Sequence, residues 1–105
     1  MHIRSPEYRD IVRQAAFRIA DSIRPGSVKV DRWKNVVMET RTYKQRFKVK
    51  DRVLRIELKN ASGEWVCQAS VALGQAVEHL EAWQARVFNA RRVVAESRAA
   101  KEVTA

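Results

Sequence analysis

The sequence is poor in most of what small catalytic or disulfide-bonded proteins are built from. Its single cysteine, Cys67, excludes an intrachain disulfide and with it a disulfide framework. Two histidines, His2 and His79, have no cysteine, serine or carboxylate at a spacing that builds a nucleophile, an acid–base pair or a metal site. There is no CxxC, no HExxH and no glycine-rich phosphate loop. These absences predict a protein that is not an enzyme and has no metal and no cofactor. Cys67 then reads as a small buried hydrophobe and His79 as an exposed helical residue. With only 3 Gly and 2 Pro, long disordered stretches are not expected. No run of about 18 apolar residues exists to span a membrane. The N-terminal MHIRSPEYRD also lacks the apolar core of a signal peptide, so the expected location is cytoplasmic.

What is present is ordinary core material in a regular pattern. A hydrophobic content of 46% with 31% charged residues suits a soluble globular chain. A chain of this length removes roughly 60–70% of its unfolded surface from water on folding, enough for one domain over residues 1–105. Ser5 as N-cap, Pro6 at the first helical position and the stop Arg24-Pro25-Gly26 predict a helix over 6–24. Tyr8, Ile11, Val12, Ala15, Ala16, Ile19 and Ile23 form its apolar stripe, with Phe17 on the opposite side.

Val28-Lys29-Val30 reads as a short strand and Arg32 to Asn35 as a turn or connector. Val36, Val37 and Met38 are followed by alternation on odd positions, Tyr43, Gln45, Phe47 and Val49. The phase change near residues 40–42 predicts a bulge or bend between two strand segments. A tight turn at residues 50–52 leads to Leu54, Ile56 and Leu58 facing inward. Asn60-Ala61-Ser62-Gly63 turns into EWVCQAS, with Gly63 the position that needs positive φ. Cys67 is placed on one inward strand face with Trp65 and Ala69. Ser70 then caps a helix over 72–100, and 101–105 is a mobile tail. The expected architecture is α+β: an N-terminal helix, a three- to four-stranded antiparallel meander over 28–70, and a long C-terminal helix packed on the sheet. That helix, roughly 40 Å long, outreaches a compact domain whose radius of gyration is about 13 Å. Its overhanging Trp83, Val87, Phe88 and Val94 predict a homodimer.

The net charge of +9 is unevenly spread. Residues 1–40 hold 8 Lys and Arg against 5 Asp and Glu, residues 41–60 hold 8 against 2, and residues 61–105 hold 5 against 5. Lys44, Arg46, Lys48 and Lys50 occupy the outward positions of one strand, and Arg55 and Lys59 those of its hairpin partner. Cations two residues apart along a strand stand roughly 6.6 Å from one another, a spacing compatible with following a phosphate backbone. An exposed sheet face also needs solvating charge, but solubility does not require one sign packed together. The first expectation is therefore a non-enzymatic nucleic-acid-binding protein that contacts phosphates of DNA or RNA through this hairpin, with Arg91 and Arg92 of the long helix contributing. The second is a protein-interaction module, an inhibitor or adaptor from a phage or mobile element, docking on an acidic protein surface. Inward placement of Tyr43 and Phe47 predicts no base stacking on the hairpin; Trp33, Trp65 and Phe17 remain as candidate stacking platforms, with core packing the expected role of each tryptophan. Exchanging Lys44, Arg46 and Lys48 for Gln is expected to leave stability nearly unchanged.

Overall fold

The computed structural model describes residues 5–104, so His2 lies outside the described residues. Helix α1 spans Pro6–Ile23 and starts as its sequence dictates, with Ser5 Oγ accepting from the Tyr8 amide at 3.1 Å. Val12, Ala15, Ala16, Ile19, Ala20 and Ile23 are buried. Ile11, at the margin of the stripe, stays exposed because the helix contact is narrower than the stripe. Phe17 is part-exposed and lines, with Val30 and Val36, a groove of about 420 Å³.

Five strands follow: β1 Val28–Val30, β2 Val36–Glu39, β3 Lys44–Lys50, β4 Val53–Lys59 and β5 Trp65–Ala72. They form one antiparallel sheet in the order β1-β2-β3-β4-β5, one strand more than the upper end of the expected meander. The phase change near residues 40–42 is a full chain reversal rather than a bend. Glu39 pairs with Lys44, so residues 40–43 make a four-residue hairpin loop. An even loop length puts even residues of one strand opposite odd residues of the next. Val36 and Met38 thereby share the inner face with Phe47, and the two-residue loop 51–52 hands that face to Leu54 and Ile56. Gly63 has φ +82° in the last hairpin, as expected, and Asn60 Oδ1 accepts from the amides of Ser62 and Glu64.

Two boundaries differ from the expected ones. Ser70 caps nothing: β5 continues to Ala72 because Val71 and Ala72 still pair with Leu54 and Val53. The Leu73 amide then donates to the Arg52 carbonyl at 2.8 Å. A short 3₁₀ turn, Leu73–Gln75, leads into α2, Ala76–Thr104. Residues 101–104, expected as tail, continue the helix, and Ala105 lies outside the described residues.

Both helices pack on the inner face. α1 lies against β1, β2 and β3, and α2 runs beside α1 and reaches β5. Phe47, Met38, Leu54, Ile19, Leu73 and Leu80 fill the space between the layers, and Phe47 meets Trp83 at 5.7 Å between ring centroids. Gln84 donates to Ser22 Oγ, and Arg91 donates to the Ile23 carbonyl at 2.9 Å, tying α2 to the end of α1. Beyond Arg91 the helix stands clear. Its 29 residues make about 43 Å, and the molecule is 56 Å long with a radius of gyration of 16.1 Å. Among the described residues, no helix is long and apolar enough to cross a membrane.

Candidate nucleic-acid interface

With both helices on one side, the opposite face of the sheet has no element packed across it among the described residues. Strand register assigns that face without ambiguity. Lys29 of β1 stands beside Val37 of β2, Val37 beside Arg46 of β3, Arg46 beside Glu57 of β4, and Glu57 beside Cys67 of β5. Lys44, Lys48 and Lys50 continue the β3 row, and Val53, Arg55 and Lys59 the β4 row. The face thus carries seven cations, Lys29, Lys44, Arg46, Lys48, Lys50, Arg55 and Lys59, against two carboxylates, Glu39 and Glu57. All six hairpin cations expected from the sequence lie on it.

Those six do not behave alike. Glu57 is only 6% exposed, and both Nε and Nη2 of Arg46 approach its Oε1 at 2.7 Å. Arg55 Nε stands 3.6 Å from the other oxygen, Oε2. The pair of arginines therefore clamps a buried carboxylate in the middle of the face, leaving one net positive charge fixed there. Lys59 Nζ lies 5.8 Å from the ring centroid of Trp65. Lys44, Lys48 and Lys50 form no ion pair among the described residues. Their charge, like that of Lys59, which also has no ion pair among the described residues, is available to a ligand. Val37 is buried although it faces outward, because the long stems of its register neighbours Lys29 and Arg46 flank it.

Arg91 and Arg92 are not part of this surface. They sit on α2, which packs on the inner face: Arg91 borders that face with Tyr43, Gln45 and Leu58, and Arg92 begins the part of the helix that stands clear of it. Arg91 is spent on the Ile23 carbonyl, and Arg92 contacts Asn89 at 2.7 Å and Glu96 at 3.4 Å. Sequence spacing places cations along each element, but only the packing decides which sides of the molecule two elements occupy.

Trp33 and Trp65 lie on or beside the basic face rather than in the core, the expected role of each. In β5, Cys67 pairs with Glu57 while Ala69 pairs with Ile56, so Gln68 is an extra, bulged residue. The bulge reverses the inward and outward alternation. Ala69 faces the core, but Trp65 and Cys67 face outward, and Cys67 is exposed rather than buried. The Arg46 guanidinium covers the Trp65 ring at 4.2 Å, a cation–π contact. Trp33 projects from the β1–β2 loop and is 65% exposed, with Arg32 over its ring at 4.3 Å. The loop that carries it is tightly made. Asp31 Oδ1 accepts from the amides of Trp33 and Asn35, both at 2.9 Å, and Asp31 Oδ2 accepts from Asn35 Nδ2 at 3.2 Å. Lys34 takes φ +66° to close it. The sequence signal was there in Asp31 followed by Asn35, a pattern that builds side-chain-capped loops.

By contrast, Tyr43 and Phe47 face inward as expected, half-buried and buried respectively. His79 is half-buried near the start of α2 rather than exposed. Compared with family models, with curated proteins and with solved structures, the chain matches none of them.

Proposed function

We propose that the protein is a non-enzymatic nucleic-acid-binding protein whose open sheet face holds backbone phosphates. The observation that carries the proposal is the row Lys44, Lys48 and Lys50: three cations without carboxylate partners among the described residues, on a face where the two acids are already engaged by Lys29, Arg46 and Arg55. Like charges held side by side repel, so a row of this kind is disfavoured in the free protein and relieved when a polyanion binds. Along the strand Lys48 and Lys50 stand about 6.6 Å apart and Lys44 roughly 13 Å from Lys48, about one and two phosphate spacings of an extended backbone. Phosphate contact carries little sequence information, so binding should be weakly selective and strongly salt-dependent.

The test is fluorescence anisotropy with labelled oligonucleotides over a salt series, comparing the parent with the triple variant Lys44→Gln, Lys48→Gln, Lys50→Gln. The triple variant should bind more weakly on all sequences, and its log–log salt slope on duplex DNA should fall by about 0.9 for each phosphate it no longer neutralises. Arg92→Gln, on the far side of the molecule, should bind as the parent does. Unchanged binding by the triple variant, or a loss confined to Arg92→Gln, overturns the proposal. If no oligonucleotide binds at all, an acidic protein surface becomes the ligand to test.

Two further elements belong to the same proposal. The exposed free thiol of Cys67 favours the reducing environment of the cytoplasm. A second copy is the proposed occupant of the α2 overhang. The spacing of Leu80, Trp83 and Val87, which cover the sheet, continues as Ala90 and Val94, which no other element among the described residues covers. Phe88 and Val93 add exposed apolar surface alongside. Residues 61–105 balance 5 cations with 5 acids, so two copies can meet here with less repulsion than at the sheet face.

A further inference from the structure

We infer that the nucleic acid is single-stranded, with unstacked bases resting on Trp33 and on the Arg46–Trp65 pair while the β3 lysines hold its phosphates. This rests on the nucleic-acid proposal above and narrows it to one ligand class.

Phosphate tracking needs cations only. The basic face has more than that. Trp33, Asn35, Arg46, Lys48 and Lys50 line one open depression of about 400 Å³, so an exposed indole and two of the three unpaired β3 lysines border the same space. Arg46 has a second neighbour across the sheet, the Trp65 ring 4.2 Å from its guanidinium. Arg46 therefore lies between two aromatic groups on one face. From strand spacing and rise, the two indoles stand roughly 20–25 Å apart at opposite corners of the sheet. That suits a strand of about four nucleotides, the lower end of the site sizes that single-strand-binding folds use.

The way each ring is held favours a platform over an accidental exposure. Isolated exposed apolar side chains are common, so exposure of Trp33 alone would point to no ligand. Trp33 also sits on a five-residue loop closed by the three hydrogen bonds to the Asp31 carboxylate described above and by the Asp31 amide donating to the Asn35 carbonyl. The backbone that carries the ring is thus held, while 65% of the residue remains open to solvent. Arg32 and Arg46 stack on Trp33 and Trp65 respectively, and a guanidinium plane is itself a surface on which a base can stack. A base reaches Trp33 only if it is out of a helix, because paired bases in a duplex already stack on each other and present their edges. A duplex can touch the lysines and leave the indoles unused.

The experiment uses the full chain and three probes of equal length: a mixed-sequence single strand, the same strand made abasic, and its duplex. Anisotropy at 50 mM salt gives the affinities, and tryptophan fluorescence reports stacking. The parent should bind the single strand more tightly than the abasic strand or the duplex, with quenching by the single strand alone. Trp33→Ala should lose about 5- to 150-fold on the single strand, the range for removing one base stack, and keep its affinity for the duplex and the abasic strand. Trp33→Phe should recover part of the loss. Since Trp33 packs against Arg32 alone among the described rings and cations, these variants should fold as the parent does, which circular dichroism checks. If the three probes bind equally and Trp33→Ala changes nothing, the stacking inference is wrong while phosphate binding stands. If none of the three binds, the nucleic-acid proposal itself is wrong and the inference goes with it.

Discussion

Replacing Arg46 separates a structural cation from a binding one. The sequence suggests that Arg46 and Lys48 are equivalent outward residues of one strand, each replaceable by Gln at little cost. The structure makes them different. Arg46 approaches Glu57 Oε1 with Nε and Nη2 at 2.7 Å, its side chain is 17% exposed, and that of Glu57 is 7% exposed. Removing one partner of a buried ion pair costs about 3–5 kcal/mol, because the remaining charge is left without compensation. Here the loss is smaller: Arg46 is partly solvated, and Arg55 remains 3.6 Å from Glu57 Oε2. Arg46→Gln also gives up the cation–π contact with Trp65, worth about 0.5–1 kcal/mol at a partly exposed site. The expected cost is about 2–3 kcal/mol, set against about 0.5 kcal/mol or less for Lys48→Gln. Urea unfolding followed by circular dichroism measures both, with the same slope expected for parent and variants. The double variant Arg46→Gln, Glu57→Gln should be more stable than Arg46→Gln alone, since it no longer buries an unmatched carboxylate. A cost for Arg46→Gln as small as that for Lys48→Gln, or strictly additive effects in the double variant, would refute the clamp.

Other outcomes follow from the packing. Phe47→Ala, which empties the space between β3 and Trp83, should destabilise by about 3–5 kcal/mol in the same urea assay. Light scattering coupled to size exclusion at tens of micromolar should give twice the 12.1 kDa chain mass, and Val94→Glu should return it to the monomer value without unfolding the sheet; a parent mass near 12.1 kDa removes the dimer. Gly63→Ala should cost about 1 kcal/mol by thermal or urea unfolding, because φ +82° strains any residue with a Cβ, although that Cβ would meet only Lys59 Cε at an ordinary 3.9 Å. Asp31→Ala should lower single-strand affinity through the loosened Trp33 loop while leaving the binding of an abasic strand unchanged.

Much of this fold is local, and what is local is legible in the chain. Ser5-Pro6 starts α1, Gly63 turns the last hairpin, and the period-two alternation of residues 43–59 assigns Lys44, Arg46, Lys48, Lys50, Arg55 and Lys59 to one face, because side-chain direction in a strand follows from position alone. The length of α2 and its overhang follow in the same way from rise per residue. Other features depend on what a residue meets across space. Ser70 has a good cap side chain, yet the ladder to Arg55 and its neighbours keeps it in a strand. Gln68 is bulged because Cys67 and Ala69 pair with consecutive residues of β4, and that one insertion turns Trp65 and Cys67 outward. Arg91 and Arg92 are as basic as Lys48, but α2 docks on the other side of the sheet. Glu57 looks in the sequence like a lone acid interrupting a basic row, and becomes the anchor of two arginines only when β3 and β4 come into register. Charge and periodicity are properties of a segment, whereas a shared face, a buried ion pair and an exposed ring are properties of distances between segments, which only the folded chain sets.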